Sequence, residues 1–209
     1  MPETTPRKPG RPPSTSAVEL EREALRLFGE NGFEHTTVEM IAAAAGTSRR
    51  TFFRYFDSKA GTLWRAFDAE VTKLREQLAA VPEDVPVMTA VRLAVVAVNH
   101  YRAADVDELR ARMSMIGSVP ELAASSAVHY EAWERAVSDF VARRRGLPAD
   151  SLYPLAVGHA TLATCRAAFE RWTVNADADL TVYLEAALCA LGDGFTDDVL
   201  VAEPVRLRA

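Results

Sequence analysis

The sequence predicts an all-α fold made of two helical domains, and three observations support this prediction. Apolar residues recur at the spacing of a helical face, as in the series Leu20, Ala24, Leu27 and Phe28. Proline is absent from residues 14 to 81, so nothing breaks a helix there. No stretch shows sustained alternation of apolar and polar residues, and no Asn-Gly or Asp-Gly pair joins two β-rich runs.

The N-terminal domain is expected to contain three helices and the start of a fourth. The predicted helix starts are the capping boxes Ser16-Ala-Val-Glu19 and Thr36-Thr-Val-Glu39, then Ser48, then the pair Asp57-Ser58. Gly32 and Gly46 are expected to end the first two helices. The third helix should reach about Tyr55 and the fourth about Ala80.

The rest of the chain is expected to form five further helices. Their predicted ranges are 87–103, 105–117, 120–145, 151–173 and 180–201. Pro120 suits the first turn of a helix, where its missing N–H is not needed, and Gly117 is expected to end the helix before it. The last two helices carry Ala and Leu on more than one face, which indicates a partner helix pair.

Composition excludes several classes of protein. The chain has 209 residues, of which 49% are hydrophobic, so it can bury a sizeable core. No apolar run approaches the roughly 18 residues of a membrane span, and residues 1–13 lack the apolar stretch of a secretory signal. Cys165 and Cys189 are too few for a disulfide framework or a zinc site. We therefore expect a cytoplasmic protein without a membrane segment, a metal or another cofactor.

Charge is distributed unevenly along the chain. The formal net charge is −5, which by itself argues against a general nucleic-acid coat protein. Residues 1–65 nevertheless carry ten Lys and Arg against eight Asp and Glu, whereas residues 66–209 carry fourteen against twenty-one. This asymmetry indicates that the N-terminal end meets a polyanion. Charges on a solvated helix face are the alternative explanation.

The second and third predicted helices have the composition of a helix-turn-helix motif. Small residues at 42–45 let the third helix pack closely across the second, and Gly46 suits a turn with positive φ. The third helix must present hydrogen-bond donors to a major groove about 12 Å wide. Polar residues occupy it at Thr47, Ser48, Arg49 and Arg50.

The run Thr37-Val-Glu-Met-Ile-Ala-Ala-Ala-Ala-Gly-Thr-Ser-Arg-Arg-Thr-Phe-Phe-Arg-Tyr-Phe-Asp-Ser-Lys59 resembles the DNA-binding signature of the TetR family of bacterial repressors. The match covers about 45 residues, from Ala24 to Phe67. The resemblance implies an all-α homodimer whose larger C-terminal domain binds a small ligand and then releases an operator. Phe53 departs from the pattern, because the family usually has there a tyrosine whose hydroxyl reaches a phosphate.

Arg50 is the first candidate for a base-reading residue and Arg49 is the second, because a guanidinium can donate to guanine O6 and N7 at the same time. Thr37 and Lys59, at helix starts, are predicted to bind phosphates, with Thr51 and Arg54 as additions. The motif Gly10-Arg11-Pro12 resembles hooks that lay an arginine in a narrow minor groove; a solubilising tail is the alternative. The residues predicted to contact DNA are Arg11, Thr37, Thr47, Ser48, Arg49, Arg50, Thr51, Phe53, Arg54 and Lys59.

The expected domain boundaries follow from these assignments. Residues 1–13, with five prolines and three basic residues, should form a disordered basic arm. Residues 14–63 should form the helix-turn-helix domain, residues 64–202 the ligand-binding and dimerisation domain, and residues 203–209 a tail.

A ligand cavity in a helical domain should be mostly apolar with a few polar groups. The residues predicted to line it are Phe67, His100, Tyr101, Arg110, Met113, Tyr130, Trp133, Cys165 and Phe169. Each of them, taken alone, is more often a core residue, because apolar helix faces usually pack against each other. The stretch from Arg110 to Leu122 resembles an actinobacterial branch of the family. The run Gly10-Arg-Pro-Pro-Ser14 and the run from Arg49 to Phe56, followed by Trp64 and Phe67-Asp68, resemble the regulators of mycofactocin gene clusters, although Thr62 departs from that branch. This resemblance implies an acyl-CoA effector whose phosphates meet Arg110 and Arg112.

The family resemblance also implies that the last two helices form a four-helix bundle with those of a second copy. Leu184, Leu188, Leu191 and Phe195 are predicted to form the dimer stripe, with burial inside the same subunit as the alternative. The expected partners are therefore double-stranded operator DNA, a second copy of the chain and a small apolar effector.

Two other functions compete with a ligand-released repressor. An activator, or a DNA-binding protein with a different effector, fits the same residues, because operator position rather than sequence separates repression from activation. An enzyme is not expected, because no metal-binding H-E-x-x-H, no G-x-S-x-G and no glycine-rich phosphate loop occurs.

Overall fold

A computed structural model describes residues 16–175 and 178–194. All regular elements of the described residues are helices, without a strand, so the prediction of an all-α fold is confirmed. In order, the helices are α1 (Ala17–Asn31), α2 (Val38–Ala44), α3 (Arg49–Phe52), α4 (Gly61–Ala80), α5 (Val87–Val98), a 3₁₀ turn (Ala103–Asp105), α6 (Val106–Ser118), α7 (Pro120–Arg145), α8 (Leu152–Asn175) and α9 (Leu180–Gly192). Among the residues described, no helix is both long enough and apolar enough to cross a membrane.

The chain divides into two compact units, Met1–Thr62 and Leu63–Ala209. The first unit contains α1 to α3, and its buried residues include Leu20, Phe28, Ile41, Phe52 and Phe56. The second contains α5 to α9, with a continuous core that includes Leu74, Val91, Val137, Trp172 and Leu184. Helix α4 begins in the first unit and continues in the second.

A side-chain cap begins α1 where the sequence predicts it, whereas α2 begins one residue later than predicted. Ser16 and Glu19 form the expected reciprocal capping box. The second predicted box is wrong, because Thr37 rather than Thr36 caps α2 and accepts a hydrogen bond from Met40 N. The Thr36 hydroxyl is buried and donates instead to the carbonyl oxygens of Leu27 and Gly32. Thr36 thus ties the α1–α2 loop to the end of α1.

Several helix ends differ from the predicted ones for local reasons. Helix α3 ends at Phe52 rather than near Tyr55, because the following backbone changes to i→i−3 hydrogen bonds, such as Tyr55 N to Phe52 O. Gly117 lies inside α6, which continues to Ser118 just before Pro120. Helix α9 ends at Gly192, not at 201, with Gly194 at φ 86°.

Helices α7 and α8 approach closely where Gly158 faces α7. A Cβ atom at Gly158 would lie 2.3 Å from Ser138 Oγ and 2.7 Å from the carbonyl oxygen of Glu134. Both distances are shorter than real Cβ contacts, so only glycine fits without a shift of the neighbouring helix. This crossing holds together two of the helices that enclose the cavity described below.

The predicted dimer stripe on α9 is wrong for two of its four residues, Leu184 and Leu188. Leu184 is 0% exposed and Leu188 is 2% exposed within a single protomer, so neither side chain has surface left for a partner. Leu191 is partly buried against the same core, and Phe195 lies outside the described residues. The predicted alternative, burial within the subunit, describes Leu184 and Leu188. On α9 the large apolar side chain that remains exposed is Val182.

Candidate nucleic-acid interface and ligand cavity

A glycine turn joins α2 to α3 in the first unit. Gly46 has a φ of 64°, which side-chain-bearing residues rarely adopt. The Thr47 amide donates to the carbonyl oxygen of Ala42 at 2.8 Å and closes the turn. Ser48 then caps α3, where its hydroxyl accepts from Thr51 N at 3.2 Å and lies 3.1 Å from the Thr51 hydroxyl. Thr47, Ser48 and Thr51 therefore have local structural roles as well as a predicted role toward DNA.

The two arginines of α3 are both exposed but differ in their contacts. Arg49 forms an ion pair with Glu39 of α2 at 3.1 Å, and its guanidinium carbon lies 5.3 Å from the centre of the Phe53 ring. Arg50 has neither a hydrogen bond nor an ion pair within the part of the chain that the structure describes. Arg50 can thus reach an external acceptor without breaking a contact, whereas Arg49 would first have to leave Glu39.

The segment after α3 adds one more cation to this surface. Arg54 is exposed and donates to the Tyr55 hydroxyl at 3.0 Å, with its guanidinium 4.9 Å from the centre of the Tyr55 ring. Phe53 is 43% exposed and packs edge-on against buried Phe52. Thr37 is exposed at the start of α2, where its hydroxyl accepts from the backbone. Arg11, the predicted minor-groove residue, lies outside the described residues.

Lys59 has a structural contact set that its prediction as a phosphate ligand did not anticipate. Its ammonium group donates to the carbonyl oxygens of Phe33 at 2.7 Å, Thr36 at 3.2 Å and Glu34 at 3.4 Å. It also lies 4.3 Å from the centre of the Phe33 ring. An ammonium has three N–H donors, and three carbonyls already receive them. Lys59 is therefore a clamp on the α1–α2 loop, and its predicted phosphate contact stays a prediction.

The second unit contains an apolar cavity made of two adjoining chambers that share lining residues. The inner chamber holds about 50 Å³ and is lined by residues of α4 to α8. The outer chamber holds about 410 Å³ and is lined by residues of α6, α7 and α8. Five residues line both chambers and mark the neck, the place where the two chambers adjoin: Met113, Ile116, Tyr130, Arg166 and Phe169.

Aromatic side chains form one wall of the inner chamber. Trp64 stacks on His129 with ring centres 4.6 Å apart, and its indole N–H donates to the Ser125 hydroxyl. Phe67 and Tyr130 pack edge-on against Trp64 at 5.8 Å. These contacts fix the ring orientations, so the wall is formed before any ligand arrives.

Polar groups occupy another part of the inner chamber. The Tyr101 hydroxyl donates to the Glu70 carboxyl, and Asn99 Oδ1 lies 3.4 Å from the same hydroxyl. Burial raises the pKa of the Glu70 carboxyl above its ordinary value, although the Tyr101 hydrogen bond and the charge of Arg112 oppose this. Burial and the Glu70 charge raise the pKa of Tyr101. Burial also raises the pKa of the Cys165 thiol to about 12, so Cys165 lines the chamber as a neutral group.

Seven of the nine residues predicted to line the cavity do so: Phe67, Tyr101, Met113, Tyr130, Trp133, Cys165 and Phe169. His100 is exposed and does not line either chamber. Arg110 donates to the carbonyl oxygen of Thr173 and lies 6.0 Å from the centre of the Trp172 ring. Arg110 therefore holds the end of α8 instead of lining the cavity.

Sequence reasoning missed several lining residues, including Trp64, Glu70, Asn99, Arg112 and Arg166. Helical spacing could have indicated three of them. Trp64 and Glu70 lie three residues before and after Phe67, and Arg166 lies three residues before Phe169, so each shares a helix face with a predicted lining residue. Among the described residues, no group of three or more His, Cys, Asp or Glu side chains could hold a metal ion.

Comparisons with known proteins place both units among bacterial regulators. Residues 22–63 match the family model described as "Bacterial regulatory proteins, tetR family", and residues 85–196 match the model described as "MftR C-terminal domain". A protein of Mycobacterium tuberculosis, named as the mycofactocin biosynthesis transcriptional regulator MftR, is 34% identical over 88% of this chain and 93% of its own length. The HTH-type transcriptional regulator TcmR of Streptomyces glaucescens is 33% identical over 90% of this chain and 89% of its own.

Solved structures show the same fold at lower sequence identity. FadR of Thermus thermophilus, a TetR-family repressor crystallised with lauroyl-CoA, superposes with a TM-score of 0.60 at 23% identity and covers 87% of this chain and 95% of its own. The complex of SmeT with triclosan superposes with a TM-score of 0.63 at 21% identity and covers 90% of this chain and 95% of its own.

Proposed function

Because the chain belongs to the TetR family of bacterial regulatory proteins, we propose that it is a repressor released by a small apolar effector. It binds an inverted-repeat operator as a homodimer and leaves the operator when the effector fills the cavity. One observation carries the proposal: an exposed, cationic α3 lies in one compact unit and a two-chambered apolar cavity lies in the other.

The surface of α3 and its flanks is proposed to read the operator. Arg50 is exposed and uncommitted among the described residues, so it is the first candidate for a bidentate contact with guanine. Arg49 is the second, and it exchanges Glu39 for a base or a phosphate. Thr37, Thr51 and Arg54 supply phosphate contacts that fix register rather than sequence.

Two protomers are proposed to associate through the faces of α8 and α9 that a single protomer leaves exposed. Val182 on α9 is 44% exposed, and on α8 Leu152 is 73% and Val174 is 77% exposed. A two-fold axis would place each of these faces against its copy. The dimer then presents two α3 helices to successive major grooves about one helical turn apart.

The effector is proposed to be an amphipathic molecule, with a long-chain acyl-CoA as the first candidate. The outer chamber, at about 410 Å³, lies within the range of roughly 300–1,000 Å³ that is usual for small-molecule sites. Arg166 lines both chambers and is exposed, so its guanidinium can meet an anionic group while the neck holds the apolar part. The FadR relative was crystallised with lauroyl-CoA, which supports testing this class first.

Effector binding can release DNA only if the effector prefers the conformation that does not fit the operator. Helix α4 is the element through which such a preference would reach the DNA-binding unit. Trp64, Phe67 and Glu70 of α4 line the cavity, while Gly61 and Thr62 of the same helix belong to the first unit.

A gel shift with DNA from upstream of the chain's own gene tests the proposal. We expect a specific shift, a footprint with two-fold symmetry, and loss of the shift on titration with lauroyl-CoA but not with CoA alone. Longer and shorter acyl-CoAs should differ in potency. The absence of a specific shift with any flanking DNA would refute the proposed repressor.

Matched variants on α8 separate effector binding from DNA binding. Arg166→Gln should bind the operator normally but require more lauroyl-CoA for release, because it removes a cation from the neck. Arg171→Gln is the control, since Arg171 is exposed on the same helix and lines neither chamber. Equal sensitivity of both variants to lauroyl-CoA would count against the role of Arg166. Mass spectrometry of the compound that co-purifies with the protein would identify the effector directly.

A further inference from the structure

The inner chamber is lined in part by a cluster of hydrogen-bonding groups contributed by separate elements. Glu70 comes from α4, Asn99 caps the C-terminal end of α5, and Tyr101 follows two residues later. The Tyr101 hydroxyl donates to the Glu70 carboxyl, while the Asn99 amide nitrogen donates to the carbonyl oxygen of Val95 at 2.8 Å. The second of these bonds leaves Asn99 Oδ1 on the side of the Tyr101 hydroxyl, 3.4 Å away.

This cluster belongs to the inner chamber alone. Glu70, Asn99, Tyr101 and Arg112 line the inner chamber and do not line the outer one. The neck between the chambers is mostly apolar, with Met113 among its residues. An elongated effector that occupied both adjoining chambers would pass the shared residues of the neck and meet these polar groups in the inner chamber.

The cluster provides both acceptors and a donor to such a ligand. A carboxylate can accept about four hydrogen bonds, and Tyr101 supplies one of those of Glu70. Asn99 Oδ1 is a second acceptor. The Tyr101 oxygen can also accept a hydrogen bond while its own O–H group donates to Glu70. Covering these groups with hydrocarbon would remove them from water without compensation, which is costly for buried polar atoms.

We propose that the inner chamber selects effectors whose buried end carries a hydroxyl group over effectors that end in unsubstituted hydrocarbon. The hydroxyl donates to the Glu70 carboxyl or to Asn99 Oδ1 and accepts from the polar groups beside them. The inference rests on the proposed function in that the cavity is taken as the effector site. It adds a requirement on effector chemistry that an apolar cavity alone would not impose.

A pair of fragments that differ only in a terminal hydroxyl tests the inner chamber without CoA. The probes are 12-hydroxylauric acid and lauric acid, whose narrow chain ends suit a chamber of about 50 Å³, titrated into the full-length protein labelled with ¹³C in its methionine methyl groups. Met113 lines the cavity and reports binding, while exposed Met40 in the other unit is the internal control. We expect 12-hydroxylauric acid to bind about 10-fold more tightly than lauric acid, the effect of one buried hydrogen bond. An apolar cavity would show the opposite order, since lauric acid is the more hydrophobic probe.

The double variant Glu70→Leu/Tyr101→Phe should reverse this preference. It removes the carboxyl together with the hydroxyl that donates to it, so it leaves neither partner of that hydrogen bond behind. Tyr101→Phe alone, which keeps the ring, is the second variant and should reduce the preference about threefold or more. Tyr153→Phe is the matched control and should keep the wild-type preference, because Tyr153 is 71% exposed and lines neither chamber.

Three results would overturn the inference. They are lauric acid binding to the wild type as tightly as 12-hydroxylauric acid, an unchanged preference in the double variant, and no response of Met113 to either fragment. Operator release by lauroyl-CoA and 12-hydroxylauroyl-CoA separates this inference from the proposed function. If neither compound releases the operator while the fragment preference holds, the acyl-CoA proposal fails and the inference stands. If lauroyl-CoA releases the operator but the fragments show no preference, the inference alone fails.

Discussion

Replacing Lys59 by methionine should loosen the first unit rather than remove a DNA contact. The substitution keeps most of the aliphatic stem and deletes the ammonium that holds the α1–α2 loop. Two of its bonds, to the carbonyl oxygens of Phe33 and Thr36, are partly buried, and each should contribute about 1 kcal/mol. The contact with the Phe33 ring adds about 0.5–1 kcal/mol. The exposed bond to Glu34 is counted as negligible, which brings the expected loss to about 2–3 kcal/mol.

Hydrogen exchange is the appropriate measurement because the tryptophans, Trp64, Trp133 and Trp172, all lie in the second unit. Peptides from residues 17–56 should exchange about 30-fold faster or more in Lys59→Met, the factor that corresponds to 2 kcal/mol of local opening free energy. Peptides from α7 and α8 should be unchanged. Arg50→Met is the matched control, because it removes an exposed cation of the same unit without a partner among the described residues.

The salt dependence of operator binding gives the refuting result. A phosphate contact contributes about 0.9 to the slope of log Kd against log salt concentration. If Lys59 is a structural clamp, Lys59→Met should weaken binding while leaving that slope unchanged. Unchanged exchange in residues 17–56 together with a slope reduced by about 0.9 would show that Lys59 binds phosphate and that the clamp interpretation is wrong.

The other predictions concern base reading, helix packing and dimerisation. Arg50→Ala should cost about 1–3 kcal/mol of operator affinity and relax specificity at one base pair; an equal loss on all sequences, measured by competition with single-base variants, would contradict base reading. Gly158→Ala should lower the free energy of unfolding by about 1–3 kcal/mol because its methyl group clashes with α7. Gly117→Ala is the control inside α6, where nothing lies within 4 Å of the Cβ position, and it should raise the free energy of unfolding by about 0.5–1 kcal/mol. Similar shifts of the melting temperature for both variants would refute the close crossing of α7 and α8. Val182→Glu should shift the dimer toward monomer in sedimentation with little change in folding stability. Leu184 is 0% exposed in the protomer, so Leu184→Ala should instead cost about 2–5 kcal/mol of folding stability. A dimer unaffected by Val182→Glu would exclude the proposed face.

Local sequence signals determined much of the fold, because their physical causes act over a few residues. Capping by Ser16 and Ser48 and the positive φ of Gly46 depend only on neighbours within one turn. The order of helices and the short second and third helices followed from these signals and from the helical period of apolar residues. The helix-turn-helix resemblance rests on the same local residues, and the match of residues 22–63 confirms it.

Only the tertiary structure decided which partner each side chain meets. The Lys59 ammonium binds carbonyls about 25 residues earlier in the chain, a contact that no local pattern encodes. Leu184 and Leu188 form an apolar stripe that any adjacent helix could cover, and the packing of the second unit covers it within the protomer. The inner chamber joins Glu70, Asn99 and Tyr101 through the folding of α4 against the end of α5. A helical period identifies an apolar face, but what covers that face depends on long-range packing, so clamp, stripe and chamber could be assigned only in three dimensions.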